Sequence, residues 1–460
     1  MKGRPMGSWL LHVPVETPGV FVPVYVLAAL TGVYLLWRTP RARRHDNAAV
    51  PSAGDRRATR AQAPHRAGRP LMYTLGAVIL GAALGLLACW LVDDVWNLLG
   101  IELTPITRMW VALGFAGITL AVVNLWGTRW WRTVIAAASM PVFVLMAALG
   151  VNIDFGAFAT PAEALGLTEY PVFVPSASAA SPDTPTDLAT WRADGTLPLH
   201  GRVAEVTIPA TTSHFAARSA LLYLPPAALV RNAPALPVII ALSGQPGMPA
   251  NMVQSARMPQ VLDAYAAAHH GLAPIVVIPD QLGAAAHNPM CVDSPLGDSA
   301  TYLSVDVPQW ITTHLHVEQP GRDWAIAGFS QGGTCSIQLG AADPSLFGTI
   351  LDISGETIPT IGADTVQVAF GGSEAAYRAA WPVNILAAHA PYADTTAYFG
   401  VGQNDHVYAA RMRIIEQAAA RAGMHTSSIV SPGSAHDWNT VRYVMSHELP
   451  RVSARLLGDV

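Results

Sequence analysis

Four stretches in the first third of the chain are apolar without a polar face: roughly Val20 to Trp37, Leu71 to Val92, Met109 to Trp126 and Thr133 to Val151. At 1.5 Å rise per residue, about 20 residues span a hydrocarbon core of about 30 Å, so each stretch predicts a transmembrane helix. Beyond residue 200 the pattern changes to short β-branched runs separated by stretches of helical period. The runs are Val203 to Ile208, Ser219 to Leu224, Val238 to Leu242, Ile275 to Ile278, Trp324 to Ala327, Thr349 to Ile353, Thr396 to Val401 and Thr426 to Val430. Runs such as VIIAL and IVVI are apolar on both faces, as in the strands of a parallel sheet covered by helices. The pattern therefore predicts a four-helix transmembrane region over residues 1–151, a linker and lead-in over 152–200, and an α/β domain over 201–460. Within the lead-in, Pro175 to Asp187 is small, polar and proline-containing, and reads as a tether.

Composition agrees with this division. Only 13% of the residues are charged and 51% are hydrophobic, whereas an ordinary soluble protein carries roughly 25% charge. So apolar a chain is not disordered, because it can bury enough surface to offset its entropy. Its three cysteines, Cys89, Cys291 and Cys335, are too few and too scattered for a disulfide scaffold or a zinc cluster.

The net charge of −4 hides an asymmetry: residues 1–150 sum to +8 and residues 151–460 to −12. The larger part is acidic, which excludes a basic nucleic-acid face. The basic excess lies among the apolar runs, where it orients them. Arg38, Arg41, Arg43, Arg44, Arg56, Arg57, Arg60, Arg66 and Arg69 crowd the first loop, opposed only by Asp46 and Asp55, so that loop is expected in the cytoplasm. Asp93, Asp94 and Glu102 mark the second loop as external, and Arg129 and Arg132 return the third to the inside. Four crossings then leave both termini and the whole α/β domain outside the cell membrane. The basic cluster follows the first apolar segment instead of preceding it, unlike a cleaved signal peptide.

Candidate chemistry begins at Gly328-Phe329-Ser330-Gln331-Gly332-Gly333, between a strand pattern and the helical stretch TCSIQLGAA. In G-x-S-x-G a sharp strand-to-helix turn exposes the serine hydroxyl, and small flanking residues allow the close packing such a turn needs. A serine hydroxyl needs a base to become a nucleophile, and the base needs an acid to hold its tautomer. The order serine, acid, histidine is met by Asp405 in FGVGQNDH and His436 in SPGSAHDW, each directly after a strand pattern. His406, His389, His314 and His316 are less well placed. Asp352 and Glu356 in LDISGE are the substitutes for the acid. Oxyanion donors are expected from the backbone N–H of Gln331 and, in the loop Ser243-Gly244-Gln245-Pro246-Gly247, from that of Gln245, since Pro246 has none.

TYLSVDVPQWI, the elbow GFSQGG, DPSLFGTILDISG and the terminal GSAHDW together resemble the esterase D and mycolyltransferase branch of the α/β-hydrolases, found in actinobacterial cell envelopes. The resemblance covers about residues 200 to 455. It implies an eight-stranded α/β-hydrolase fold and serine ester chemistry with neither cofactor nor metal. It also supports the roles of Ser330, Asp405 and His436. The chain departs from mycolyltransferases in having Asp for their acidic Glu, and Gln331 and Gly332 for their Met and Ala. The expected activity is a membrane-anchored serine esterase acting on a lipid or cell-envelope acyl ester. The alternatives are a mycolyltransferase-like acyltransferase and a non-catalytic membrane scaffold. Cys291 and Cys335 both fall in the expected oxidising exterior, which makes them a candidate disulfide bracing the helix after the nucleophile.

Overall fold

The computed structural model describes residues 8–37, 68–96, 100–126, 129–174 and 188–458. The chain forms two compact units, Met1–Leu165 and Gly166–Val460. The tether at 175–187 and residues 38–67, with eight of the nine loop arginines, lie outside the described residues.

The first unit holds four long helices: α1 (Pro18–Leu36), α2 (Gly68–Trp90), α3 (Pro105–Val123) and α4 (Trp130–Phe155). Each is long and apolar enough to cross a membrane; the second, extended by a π-turn, runs from Leu71 to Val95. Two ends differ from expectation. Helix α3 starts four residues early because Thr104 caps it, its hydroxyl accepting from Thr107 N–H at 3.0 Å, with Pro105 in the first turn. Helix α4 runs on to Phe155 and stops at Gly156, whose left-handed backbone (φ 61°) ends it. The first unit consequently extends past residue 151, to Leu165.

Two features lock these helices together. A Cβ at Gly81 would lie 2.6 Å from Phe115 O, and one at Gly85 2.8 Å from Ala112 Cα. This small-xxx-small spacing therefore lets α2 and α3 touch backbone to backbone. At the end of α1 the last carbonyls have no helical N–H to accept from. Three different segments supply donors instead: Arg132 Nη2 to Tyr34 O at 3.1 Å, Asn124 Nδ2 to Leu35 O at 3.2 Å, and Thr74 Oγ1 to Leu36 O at 3.2 Å.

The second unit is built on eight strands: β1 (Arg202–Val206), β2 (Ala220–Leu224), β3 (Val238–Leu242), β4 (Ile275–Ile278), β5 (Gly321–Phe329), β6 (Phe347–Ile353), β7 (Thr396–Gly402) and β8 (His425–Ser431). They lie in the order β1-β2-β4-β3-β5-β6-β7-β8, with β2 antiparallel to both neighbours and the other pairs parallel. All eight expected runs are strands, and the order is that of an α/β-hydrolase. Strands β3 and β4 are buried at every position, whereas β8, at the edge, exposes His425, Ser428 and Val430.

Contacts of this unit reach back before residue 201. Phe173 N–H donates to Glu205 O at 2.8 Å and Trp191 Nε1 donates to Asn232 O at 2.8 Å, so parts of the lead-in belong to this unit. Four helices follow strands of the sheet: α5 (Met258–Ala268) follows β3, α6 (Gln331–Ala342) follows β5, α7 (His406–Arg421) follows β7 and α8 (Trp438–Leu457) follows β8. Parallel strands send the loops joining them to these helices to one edge of the sheet, where ligand sites of such folds lie.

Candidate active site

Strand β5 ends at Phe329 and α6 begins at Gln331, leaving Ser330 alone in the turn at φ 56°, ψ −117°. This backbone is strained for a residue with a side chain and is held by its surroundings. Ser330 N–H donates to Ile353 O at 2.8 Å, and Ser330 O accepts from Thr334 N–H at 2.9 Å. The flanking glycines are required sterically: a Cβ at Gly328 would lie 2.1 Å from Gly332 O, and one at Gly332 2.4 Å from Ser243 O.

The turn brings three sequence-distant side chains into line. His436 Nε2 lies 2.9 Å from Ser330 Oγ, and His436 Nδ1 lies 2.8 Å from Asp405 Oδ2. All three residues are buried, with Ser330 at 9% exposure. Asp405 caps α7, its Oδ1 accepting from Tyr408 N–H at 3.2 Å, and the helix N-terminus favours its negative charge. The imidazole is wedged between rings, with centroids of Tyr408 and Phe329 at 4.0 and 4.9 Å. Asp437 holds the loop on the other side, accepting from Ala435 N–H at 2.9 Å and capping α8 through Thr440 N–H at 2.9 Å.

The two alternative acids lie elsewhere. Asp352, on β6, is buried beneath the elbow, where a Cβ at Gly333 would come within 2.5 Å of its Oδ1. Burial pushes its carboxyl up to about 7, against one backbone bond from Gly355. Glu356 pairs with Arg411 at 3.4 Å; burial raises its carboxyl and Arg411 pulls it back. His406 is the first residue of α7 and is exposed.

Gln331 is the first residue of α6, so its N–H is one of those the helix itself cannot use. The loop carrying Gln245 passes beside the nucleophile, since a Cβ at Gly244 would lie 3.4 Å from Ser330 Cβ. That loop is clamped from outside by Arg218. Its Nη2 donates to Gly247 O at 3.0 Å and to Asp280 Oδ1 at 2.7 Å, while its Nε donates to Asp280 Oδ2 at 2.8 Å. Burial raises the Asp280 carboxyl, but the bonds from Arg218 outweigh it and hold the group below its ordinary range. Cys291 and Cys335 are joined Sγ to Sγ, with Cα atoms 5.5 Å apart, tying the segment after β4 to α6.

Sequence reasoning missed Arg218, Asp280 and Asp437. Asp280 had a signal, a carboxylate directly after the wholly apolar IVVI. Asp437 had one too, as the cap of D-x-x-T before a helix. Arg218 had none, because its partner is 62 residues away.

The Esterase family model matches residues 216–451. An uncharacterized protein of Corynebacterium glutamicum is 32% identical over 395 residues, covering 83% of this chain and 89% of that one. The second unit alone cannot hold so long a match, so part of the helical unit is shared. Among solved structures, a ferulic acid esterase is 19% identical with a TM-score of 0.48, over 58% of this chain and 100% of its own. The S-formylglutathione hydrolase of Agrobacterium tumefaciens is 18% identical with a TM-score of 0.47, over 58% and 100%. MPT51 of Mycobacterium tuberculosis is 17% identical with a TM-score of 0.40, over 56% and 98%.

Proposed function

The chain belongs to the Esterase family, and on that premise we propose that it is a membrane-anchored serine esterase cleaving an acyl ester through an acyl-enzyme on Ser330. The observation that carries this reading is the unbroken line from Ser330 Oγ through His436 to Asp405, at 2.9 and 2.8 Å. Asp405 accepts the Nδ1 proton, which leaves the Nε2 lone pair directed at the serine hydroxyl. As Oγ bonds to the ester carbonyl carbon, its proton passes to Nε2 and the carbonyl π electrons move onto oxygen. The N–H groups of Gln331 and Gln245 receive that charge. Collapse breaks the bond to the alcohol, which leaves with the proton from Nε2, and water repeats the sequence to release the acid.

The substrate class is a lipid or cell-envelope ester, because an enzyme held at a membrane surface meets such esters at high local concentration. We place both termini and the hydrolase unit outside the cell, on the strength of the nine arginines between the first two apolar segments. Reporter fusions or cysteine accessibility finding residues 166–460 in the cytoplasm would overturn that placement.

A fluorophosphonate probe tests the chemistry: it should label the intact protein and leave Ser330→Ala unlabelled. Equal labelling of both would remove Ser330 from the reaction. Supplying an acyl donor with rising glycerol or trehalose separates hydrolysis from transfer, with free acid expected to dominate throughout. Acylated acceptor dominating at millimolar acceptor would replace hydrolysis by transfer.

A further inference from the structure

The two expected oxyanion donors come from different loops, Gln331 on the elbow and Gln245 after β3. A hole assembled from two loops works only if their separation is set before charge develops, because donors must lie 2.7–3.1 Å from the oxyanion's position. One side chain ties these loops together. Gln281, three residues after β4 and fully buried, directs its Nε2 to Ser243 O at 2.6 Å and to Gln331 Oε1 at 3.1 Å. Ser243 begins the Gln245 loop, and Gln331 is the other donor residue. Both hydrogens of one amide thus span the hole.

The connection continues in one direction. Gln331 Nε2 donates to Asn288 Oδ1 at 3.2 Å, and Asn288 Nδ2 donates to Thr360 O at 3.1 Å. Each end is a backbone carbonyl, which can only accept, and Met290 N–H donates to Asn288 Oδ1 at 2.9 Å. The orientation of all three amides is therefore forced by their partners. Gln331 is further hemmed by the disulfide, with Nε2 at 3.2 Å from Cys335 Sγ. The relay links the loops after β3, β4, β5 and β6. It has a cost: Gln281 Oε1 is buried and accepts no hydrogen bond among the described residues. An apolar side chain would avoid that cost, so the donors of Gln281 are what the position uses.

We infer that Gln281 is a positioning residue that sets the distance between the two halves of the oxyanion hole. The inference rests on the serine esterase reading and adds to it a residue that touches no substrate. It predicts a loss confined to states in which the carbonyl oxygen is charged.

The test uses the purified full chain, p-nitrophenyl butyrate and an alkylboronic acid, which forms an anionic tetrahedral adduct on the nucleophile. Gln281→Met keeps length and removes both donors. Gln331→Met removes the acceptor of one bond and serves if the first variant does not fold. Either variant should lose about 10- to 100-fold in kcat, less than outright removal of a donor. KM should stay within about threefold, and boronate affinity should fall in parallel with kcat. The double variant should lose little more than the worse single one, since both break the same relay. A kcat within twofold of the unmodified enzyme in Gln281→Met overturns the inference, as does the same result in Gln331→Met where Gln281→Met does not fold. So does a kcat loss with unchanged boronate affinity, which would mark a merely structural residue. Ser330→Ala separates the two levels. If it stays active, the esterase reading falls and takes this inference with it; if it is inactive while Gln281→Met is normal, only this inference falls.

Discussion

The two units solve the problem of buried polar groups in opposite ways. The helical unit keeps its large apolar side chains outward, with Leu30, Ile79 and Trp130 among the exposed ones. Its core is thin, a cluster around Leu35, Leu120 and Phe143. Its helices are joined by close glycine contacts and by donors to the three carbonyls ending α1. The hydrolase unit buries its sheet on both faces and keeps Ser330, Gln331, Asp405 and His436 buried together beyond the strand ends. In the first unit, polar contacts complete the end of a helix, whose last carbonyls have no N–H of their own helix to accept from. In the second they aim side chains, and the strained Ser330 backbone is the visible sign of it.

The largest expected effect lies wholly in the second unit. Ser330→Ala and His436→Ala should each lower kcat/KM on a short acyl ester by at least about 10³. Asp405→Asn should be severe, though less so. Steady-state kinetics check this, and an Asp352→Asn enzyme as inactive as Ser330→Ala with Asp405→Asn nearly silent would reassign the acid.

Breaking the Cys291–Cys335 bond with paired serine substitutions should lower the stability of the hydrolase unit by about 2–4 kcal/mol. Thermal denaturation of the hydrolase transition should show it. Two free thiols titrated at these positions in the unreduced, denatured protein would instead show that the bond does not form.

Gly81→Val probes the other unit. Its side chain meets the α3 backbone, and overpacking of this kind costs roughly 1–3 kcal/mol. The helical unit should lose protease resistance in detergent, while kcat on a water-soluble ester stays within twofold. Parallel loss of both would contradict the independence of the two units' chemistry.

The last expected effect depends on pH. Asp352 has its folded-state pKa raised from 3.8 to about 7, so the native state holds a proton that the unfolded chain has released. Its neutral form costs nothing below about pH 4, and the cost of keeping it protonated while the unfolded chain ionises accumulates as pH rises to about 7. Asp352→Asn, which stays neutral, should therefore gain stability relative to the unmodified protein between pH 5 and pH 8, by on the order of 2–3 kcal/mol. Denaturant midpoints at the two pH values measure this. A stability difference that shrinks with rising pH would reverse the assignment.

Much of this protein was legible along the chain because the relevant signals are local. A helix able to cross a membrane is apolar all round over about 20 residues, and Val20 to Trp37 shows that pattern without reference to any neighbour. Strands buried on both faces are continuous apolar runs, so β3 and β4 were readable from VIIAL and IVVI. The elbow, too, is a local steric demand for small residues around Ser330. The boundary at Leu165 was not readable, because it depends on where the chain after α4 finds partners.

Sequence by itself therefore determined the order of the two units, the eight strands and the nucleophile's turn, each of which follows from spacing within a few residues. Tertiary structure decided between the candidate carboxylates, bringing Asp405 to 2.8 Å from His436 Nδ1 and leaving Asp352 inside β6. It also decided that Arg218 meets Asp280 and that Gln281 bridges Ser243 and Gln331. The physical reason is common to all three: hydrogen bonds are directional and short-ranged, and residues far apart in sequence enter that range only when the sheet has set its strand order.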